Sequence, residues 1–168
     1  NNEASSELKI IIAPHEINTA KLLLLQKQLS KKSVLFSETV SASTEINLYN
    51  ILIIDNIGML SSLYQYADIA YIGGGFGKGI HNILEAATFG IPIIFGPNYE
   101  KFKEANDLLK LSAAFSVESS EAVEKIFFSL AKNEAEREKI KGITRKYIQE
   151  NTGATELILN NIARKSGV

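Results

Sequence analysis

Five glycines fall within seven residues at Gly73, Gly74, Gly75, Gly77 and Gly79, and His81, Asn82 and Glu85 follow closely. Glycines leave main-chain N–H groups bare to a ligand and permit positive φ. A helix is expected to begin at Asn82, with Glu85 three residues on as an N-x-x-E variant of the capping box. Its amino end, aimed back at the glycine loop, would favour an anion such as a phosphate. A tight strand-to-helix turn that holds no ligand is the competing account.

Two familiar phosphate loops do not fit. A P-loop needs G-x-x-x-x-G-K-[ST], but Gly77-Lys78 is followed by Gly79, and Ile72 stands five before Gly77. The dinucleotide fingerprint G-x-G-x-x-G is missed by Gly75-Phe76-Gly77-Lys78-Gly79, and earlier strands precede it. A nucleotide site of another type is expected. Pro14-His15 ends the first apolar run, where open α/β sheets bind ligands, and a simple turn explains it equally well; Gly58 places a bare backbone at a strand-to-helix junction, with turn geometry as the alternative. Lys101 and Lys103 are within reach of an anion, or form a solvated face. His15 and His81 are the only histidines and fall on different loops, and no cluster has metal-ligand spacing, so no metal is expected.

The elements that position these residues alternate. Strands are expected at Leu8–Ala13, Ser33–Phe36, Ile51–Ile54, Ile69–Ile72, Ile93–Phe95 and Ala113–Val117. Helices are expected over Glu16–Leu29, with Ile17, Ala20, Leu24 and Gln28 on one face, and over Gly58–Tyr66. Others follow from Asn82 to the stop at Gly90, over Asn98–Lys110, from a cap at Ser119 or Ser120 to Ala131, from Asn133 to Glu150, and over Thr152–Arg164. Ser37–Asn50 reads as a polar loop, with one weak strand inside it as the alternative, and residues 1–7 as a frayed terminus. The alternation predicts an α/β, Rossmann-like, doubly wound and mostly parallel sheet of about six strands.

The 168 residues are 45% apolar, enough for one domain over 1–168 with a sizeable core. Eighteen basic and 19 acidic residues give a net charge of −1, which argues against a nucleic-acid partner. The absence of cysteine excludes a disulfide framework and thiolate chemistry. No run reaches the roughly 20 apolar residues of a spanning helix, and no signal peptide is visible. The start at Asn1 rather than Met is that expected of a piece of a longer protein.

The chain resembles the C-terminal half of 3-deoxy-D-manno-octulosonic acid (Kdo) transferase, a glycosyltransferase of the GT-B class. The resemblance rests on Asp55-Asn56-Ile57-Gly58-Met59-Leu60 with Leu63-Tyr64, Ala67-Asp68, and Tyr71-Ile72-Gly73-Gly74. It is strongest in His81-Asn82-x-Leu84-Glu85-x-Ala87, then Gly90-Ile91-Pro92 and Phe95-Gly96-Pro97, followed by Asn98, Phe102 and Lys103. It covers roughly residues 8–163 and is specific only in combination.

The resemblance implies a donor-binding domain for CMP-Kdo, in a parent that transfers Kdo to a lipid A precursor at the cytoplasmic face of the bacterial inner membrane. It implies that the catalytic base and the acceptor and membrane contacts belong to an N-terminal half, that no catalytic residue lies in this chain, and that residues 152–168 pack on that half. No cofactor is implied, since CMP-Kdo is a substrate. The donor-binding positions it implies are Pro14 and His15 at the cytidine end, Gly58, Met59 and Leu60 lining the nucleotide, and Gly74, Gly75, His81, Asn82, Ile83, Leu84 and Glu85. N–H groups near Asn82 and Ile83 would hold the phosphate, and Glu85 would accept ribose hydroxyls, in competition with its capping role. Ile83 replaces a family proline, the glycine loop is more compact than in many members, and Pro14-His15 replaces a pair that more usually ends in Arg. The readings from other classes are a UDP-sugar transferase or epimerase domain, a nucleotide-binding module without chemistry, and a plain interaction domain.

Overall fold

A computed structural model describes residues 8–40 and 45–153, together with Leu159 and Ile162. Two compact units divide the chain, Asn1–Ser62 and Leu63–Val168.

In the first unit, β1 (Ile10–Ile12), β2 (Ser33–Leu35) and β3 (Ile51–Ile53) form a parallel sheet in the order β1-β3-β2. Ile12 and Leu35 both register with Ile53. The central position of β3 explains why Ile51 and Ile53 are buried, since neighbours cover it on both edges. Helix α1 (Thr19–Gln28) begins later than expected because the Asn18 Oδ1 accepts from the Lys21 N–H at 3.1 Å and sets the N-cap there. Its buried stripe also differs. Leu22, with Leu25 and Leu29, packs against Ile51 and Ile53, while Leu24 is 59% exposed. The segment expected as a loop after β2 instead opens with a single helical turn, α2 (Phe36–Thr39). Asp55, just beyond β3, accepts from the Ser37 N–H at 2.9 Å and from its hydroxyl, fastening that turn. Burial pushes the Asp55 carboxyl up, but the Ser37 bonds outweigh it and hold the group below the ordinary aspartate value. The helix expected over Gly58–Tyr66 is α3 (Leu60–Leu63), inside which the two units divide, followed by a 3₁₀ turn at Tyr64–Tyr66.

In the second unit, β4 (Ala70–Ile72), β5 (Ile93–Phe95) and β6 (Ala114–Ser116) form a parallel sheet in that order. The run Ile93-Ile94-Phe95 is completely covered, as a central parallel strand between two others must be. Around it pack α4 (Leu84–Thr88), α5 (Lys103–Lys110), α6 (Ser120–Lys132) and α7 (Glu134–Asn151). The Ser119 Oγ caps α6 by accepting from the Ala122 N–H at 3.2 Å, and the Asn133 Oδ1 caps α7 from the Glu136 N–H at 3.0 Å. Both caps fall where the sequence puts them. Tyr147 on α7 donates its hydroxyl to Asp107 on α5 at 3.2 Å, and Lys103 pairs with the same carboxylate.

The described strands are six and all parallel, and the α/β class expected from alternation holds. They pair as two three-stranded sheets rather than through one continuous ladder. The expected helix over Thr152–Arg164 lies largely outside the described residues. Among the described residues, no helix is long and apolar enough to cross a membrane.

Candidate functional site

Chain direction sorts the candidate residues. In the first unit, Pro14 and His15 follow β1, and Gly58, Met59 and Leu60 follow its neighbour β3. Both groups therefore leave the carboxyl end of one parallel sheet, where such sheets bind ligands. Pro14 is half-buried and His15 exposed. Beside them, Glu16 pairs with Lys21 at 3.0 Å, and its carboxyl is held below the ordinary value first by that hydrogen bond and also by His15. Gly58 sits at φ +94 with open space around its Cα, so the turn demands glycine for its backbone angle and not for room. The Met59 sulfur accepts from the Asn56 amide at 3.0 Å, and Leu60 remains exposed.

In the second unit, the glycine loop leaves the carboxyl end of β4, and Gly96-Pro97-Asn98 leaves that of β5. The loop closes on itself: the Gly77 N–H donates to the Gly74 carbonyl at 2.9 Å and the His81 N–H to the Gly73 carbonyl at 3.1 Å. Gly74 has φ +88, and a Cβ there would stand 2.4 Å from the Gly79 carbonyl oxygen and 3.2 Å from the His81 ring. A Cβ on Gly75 would meet the Gly96 nitrogen at 2.6 Å. Much of the glycine content thus serves the turn's own closure, as the competing account holds. Gly77 is different: its nearest neighbour would be 3.6 Å away, and its backbone does not require glycine.

Beyond the loop, the expected capping arrangement differs in detail. The helix covers only Leu84–Thr88, and Ile83 occupies the N-cap position. Asn82 lies one residue earlier. Its Oδ1 accepts from the Leu84 N–H at 3.0 Å in an Asx turn, and its Nδ2 donates to the Glu85 Oε1 at 3.0 Å. Glu85 therefore reaches the Asn82 side chain and not its N–H. Five residues align few peptide dipoles, so the helix dipole expected to favour a phosphate contributes little here. The N–H groups are the better donors. Among the described residues, those of Asn82 and Ile83 make no hydrogen bond within the chain, whereas that of Leu84 is taken. The structure thus brings Gly74 against His81, and joins Asn82, Leu84 and Glu85 in one network.

Lys103, a candidate to reach an anion, is committed to Asp107, and Lys101 stays exposed. Among the described residues, no group of three His, Cys, Asp or Glu could hold a metal ion. Tyr64 was not read as part of the site. Burial first, and Glu85 second, push its phenol up. Tyr64 also lines a recess of about 380 Å³ with Asp68, Arg137, Lys141 and Arg145. That recess opens at the amino ends of β4 and β5, opposite the glycine loop. Its Arg137 caps α6 through the Leu130 and Ala131 carbonyls, and its Lys141 pairs with Glu138. Arg137 and Lys141 are thus engaged within the chain, and the recess lies at the strand ends where parallel sheets do not usually bind ligands. A shallower hollow of about 330 Å³, lined by Tyr71, Phe76, Ser120 and Val123, includes the glycine-loop tip.

No protein-family model matches the chain. It is 33% identical over 131 residues to the 3-deoxy-D-manno-octulosonic acid transferase of Chlamydophila psittaci, covering 76% of this chain and 30% of that protein. It is 34% identical over 116 residues to the enzyme of that name from Aquifex aeolicus, covering 68% of this chain and 31% of the relative. Among solved structures, the C-terminal CMP-Kdo binding domain of WaaA from Acinetobacter baumannii superposes with a TM-score of 0.73 at 15% identity, over 86% of this chain and 91% of that one. The fold is therefore shared with that domain, and the chain spans about 30% of the length of the curated relatives it matches. This chain is a homologue of one part of the 3-deoxy-D-manno-octulosonic acid transferases.

Proposed function

We propose that the chain is the donor-binding domain of a glycosyltransferase that moves Kdo from CMP-Kdo to a lipid A precursor. The observation that carries this reading is the agreement of two comparisons: sequence identity leads to Kdo transferases, and the fold leads to a domain that binds CMP-Kdo. The glycine-loop geometry supports it. The N–H groups of Asn82 and Ile83 take no partner within the chain, Asn82 being exposed and Ile83 3% exposed, so a phosphate would be met first at Asn82, and Glu85 keeps a carboxylate oxygen for ribose hydroxyls while the other takes the Asn82 amide. Pro14 and His15 would meet the cytidine, Gly58, Met59 and Leu60 would line the nucleotide, and Gly74, Gly75, His81, Ile83 and Leu84 would contact the donor from the loop side. The parent would be a GT-B enzyme at the cytoplasmic face of the inner membrane, with its catalytic base, acceptor site and membrane contacts in another domain and with no metal or cofactor of its own.

Calorimetric titration of the chain with CMP, UMP and UDP tests the reading. Saturable binding with preference for CMP is expected. Preference for UDP would move the domain to the uridine-sugar enzymes, and absence of binding by all three would overturn the assignment for this chain.

A further inference from the structure

The segment after β5 was expected to start a helix at Asn98, and it does not. Asn98–Phe102 lies outside α5, and the polar groups of Asn98 turn toward the glycine loop. The Asn98 N–H donates to the Gly75 carbonyl at 2.9 Å, and its carbonyl accepts from the Ile80 N–H at 3.3 Å. Its side-chain Nδ2 donates to the Gly77 carbonyl at 2.8 Å. One residue thus holds the loop at three points. The far end of the segment is fixed by Asn106, whose amide donates to the Glu100 and Phe102 carbonyls at 2.9 and 2.8 Å. Phe102 in turn backs Gly79, where a Cβ would lie 3.0 Å from its ring.

These contacts divide by purpose. Gly74 and Gly75 are fixed by close backbone approach, but a Cβ at Gly77 would meet its nearest atom only at 3.6 Å, and the loop is constrained there by two hydrogen bonds: its own N–H to Gly74 and the Asn98 amide to its carbonyl. Asn98 is exposed, so its amide adds nothing to the apolar core. We propose that Asn98 is a positioning residue that holds the glycine loop, through the Gly77 carbonyl, in the conformation met by the donor's phosphate. This rests on the donor-binding reading and names the residue that pre-organises its loop. Without the amide, the loop samples other arrangements at Gly77 and binding must order it anew, which weakens affinity at little cost to the fold.

The test compares the chain with N98L, which is close in size, uncharged and without the donor, and N98Q, which restores an amide donor. Each is titrated with CMP and melted without ligand. For N98L we expect roughly 3- to 10-fold weaker CMP binding, the worth of one hydrogen bond, with the thermal midpoint almost unmoved. N98Q should recover part of the loss. Unchanged affinity in N98L, equal losses in N98L and N98Q, or a loss that tracks a fall in the midpoint would each overturn the proposal while leaving donor binding intact. Failure of the unsubstituted chain to bind CMP would overturn donor binding itself and the proposal with it.

Discussion

The Asn82 amide and the Glu85 carboxylate meet side chain to side chain, Nδ2 to Oε1 at 3.0 Å, across the start of α4. The capping and ligand roles of Glu85 are thereby separable, because each can use a different oxygen. Glu85→Gln keeps an acceptor for Asn82 and removes the charge, so stability should stay within about 0.5 kcal/mol of the parent. Glu85→Ala removes both and should cost about 1 kcal/mol. If the carboxylate accepts ribose hydroxyls, the Gln variant should nonetheless bind CMP about tenfold more weakly, since hydrogen bonds to a charged group are the stronger kind. Urea melts and calorimetry on the two variants read both effects, and wild-type CMP affinity in Glu85→Gln would remove the carboxylate from the ligand.

The glycines of the loop should respond unequally. At Gly75 an added methyl would press on the Gly96 backbone at 2.6 Å, where nothing flexible can yield. Gly75→Ala should therefore destabilise by about 3 kcal/mol, at the upper end for overpacking. At Gly77 the nearest atom would be 3.6 Å away and φ is not positive, so Gly77→Ala should cost less than about 0.5 kcal/mol. Equal losses in denaturation midpoint would contradict the close approach of the two loops.

Asp107 carries a pH signature. The Lys103 hydrogen bond first, and that of Tyr147 after it, hold its carboxyl below the ordinary value against the opposing effect of burial. A group whose pKa is lower folded than unfolded stabilises the fold above its unfolded value, near 3.9, and loses that contribution as pH falls through the folded value. Stability should thus drop below about pH 4 more steeply in the wild type than in Asp107→Asn. Urea midpoints at neutral pH and at several acid values provide the comparison. Parallel profiles for the two proteins would deny Asp107 this role.

What the sequence made legible follows from the range of the interactions. Ile93-Ile94-Phe95 announces a buried strand because a continuous apolar run has nowhere else to go, and the Ser119 and Asn133 caps act on N–H groups only three residues away. The glycine loop and the Asn82–Glu85 spacing were visible for the same reason. The start of α5 was not, because the polar groups of Asn98 are taken by Gly75, Gly77 and Ile80, about twenty residues back in the chain. A Gly-Pro-Asn run after a strand is itself a turn signal, and it outweighs the helical spacing of Phe102, Ala105 and Leu109 that follows. The need for glycine at Gly75 was hidden likewise, since its neighbour Gly96 belongs to a different loop.

Helix α1 shows the remaining kind of ambiguity and supplies the last test. Four consecutive leucines, Leu22 to Leu25, leave the apolar face undetermined by spacing, and the stripe through Ile17, Ala20 and Leu24 is not the one that packs. Capping at Asn18 fixes where the helix begins, and Leu22 then falls on the sheet, 4% exposed against Ile51 and Ile53, with Leu24 turned away at 59%. Leu22→Ala should destabilise by about 3 kcal/mol, because few residues build this core and the cavity has little around it to collapse. Leu24→Ala should change stability by less than about 0.5 kcal/mol, and its better helix propensity offsets part of any loss. Comparable losses from the two substitutions, measured by urea denaturation, would mean that the helix turns its other face to the sheet and that the pairing of Leu22 with Ile51 and Ile53 is wrong.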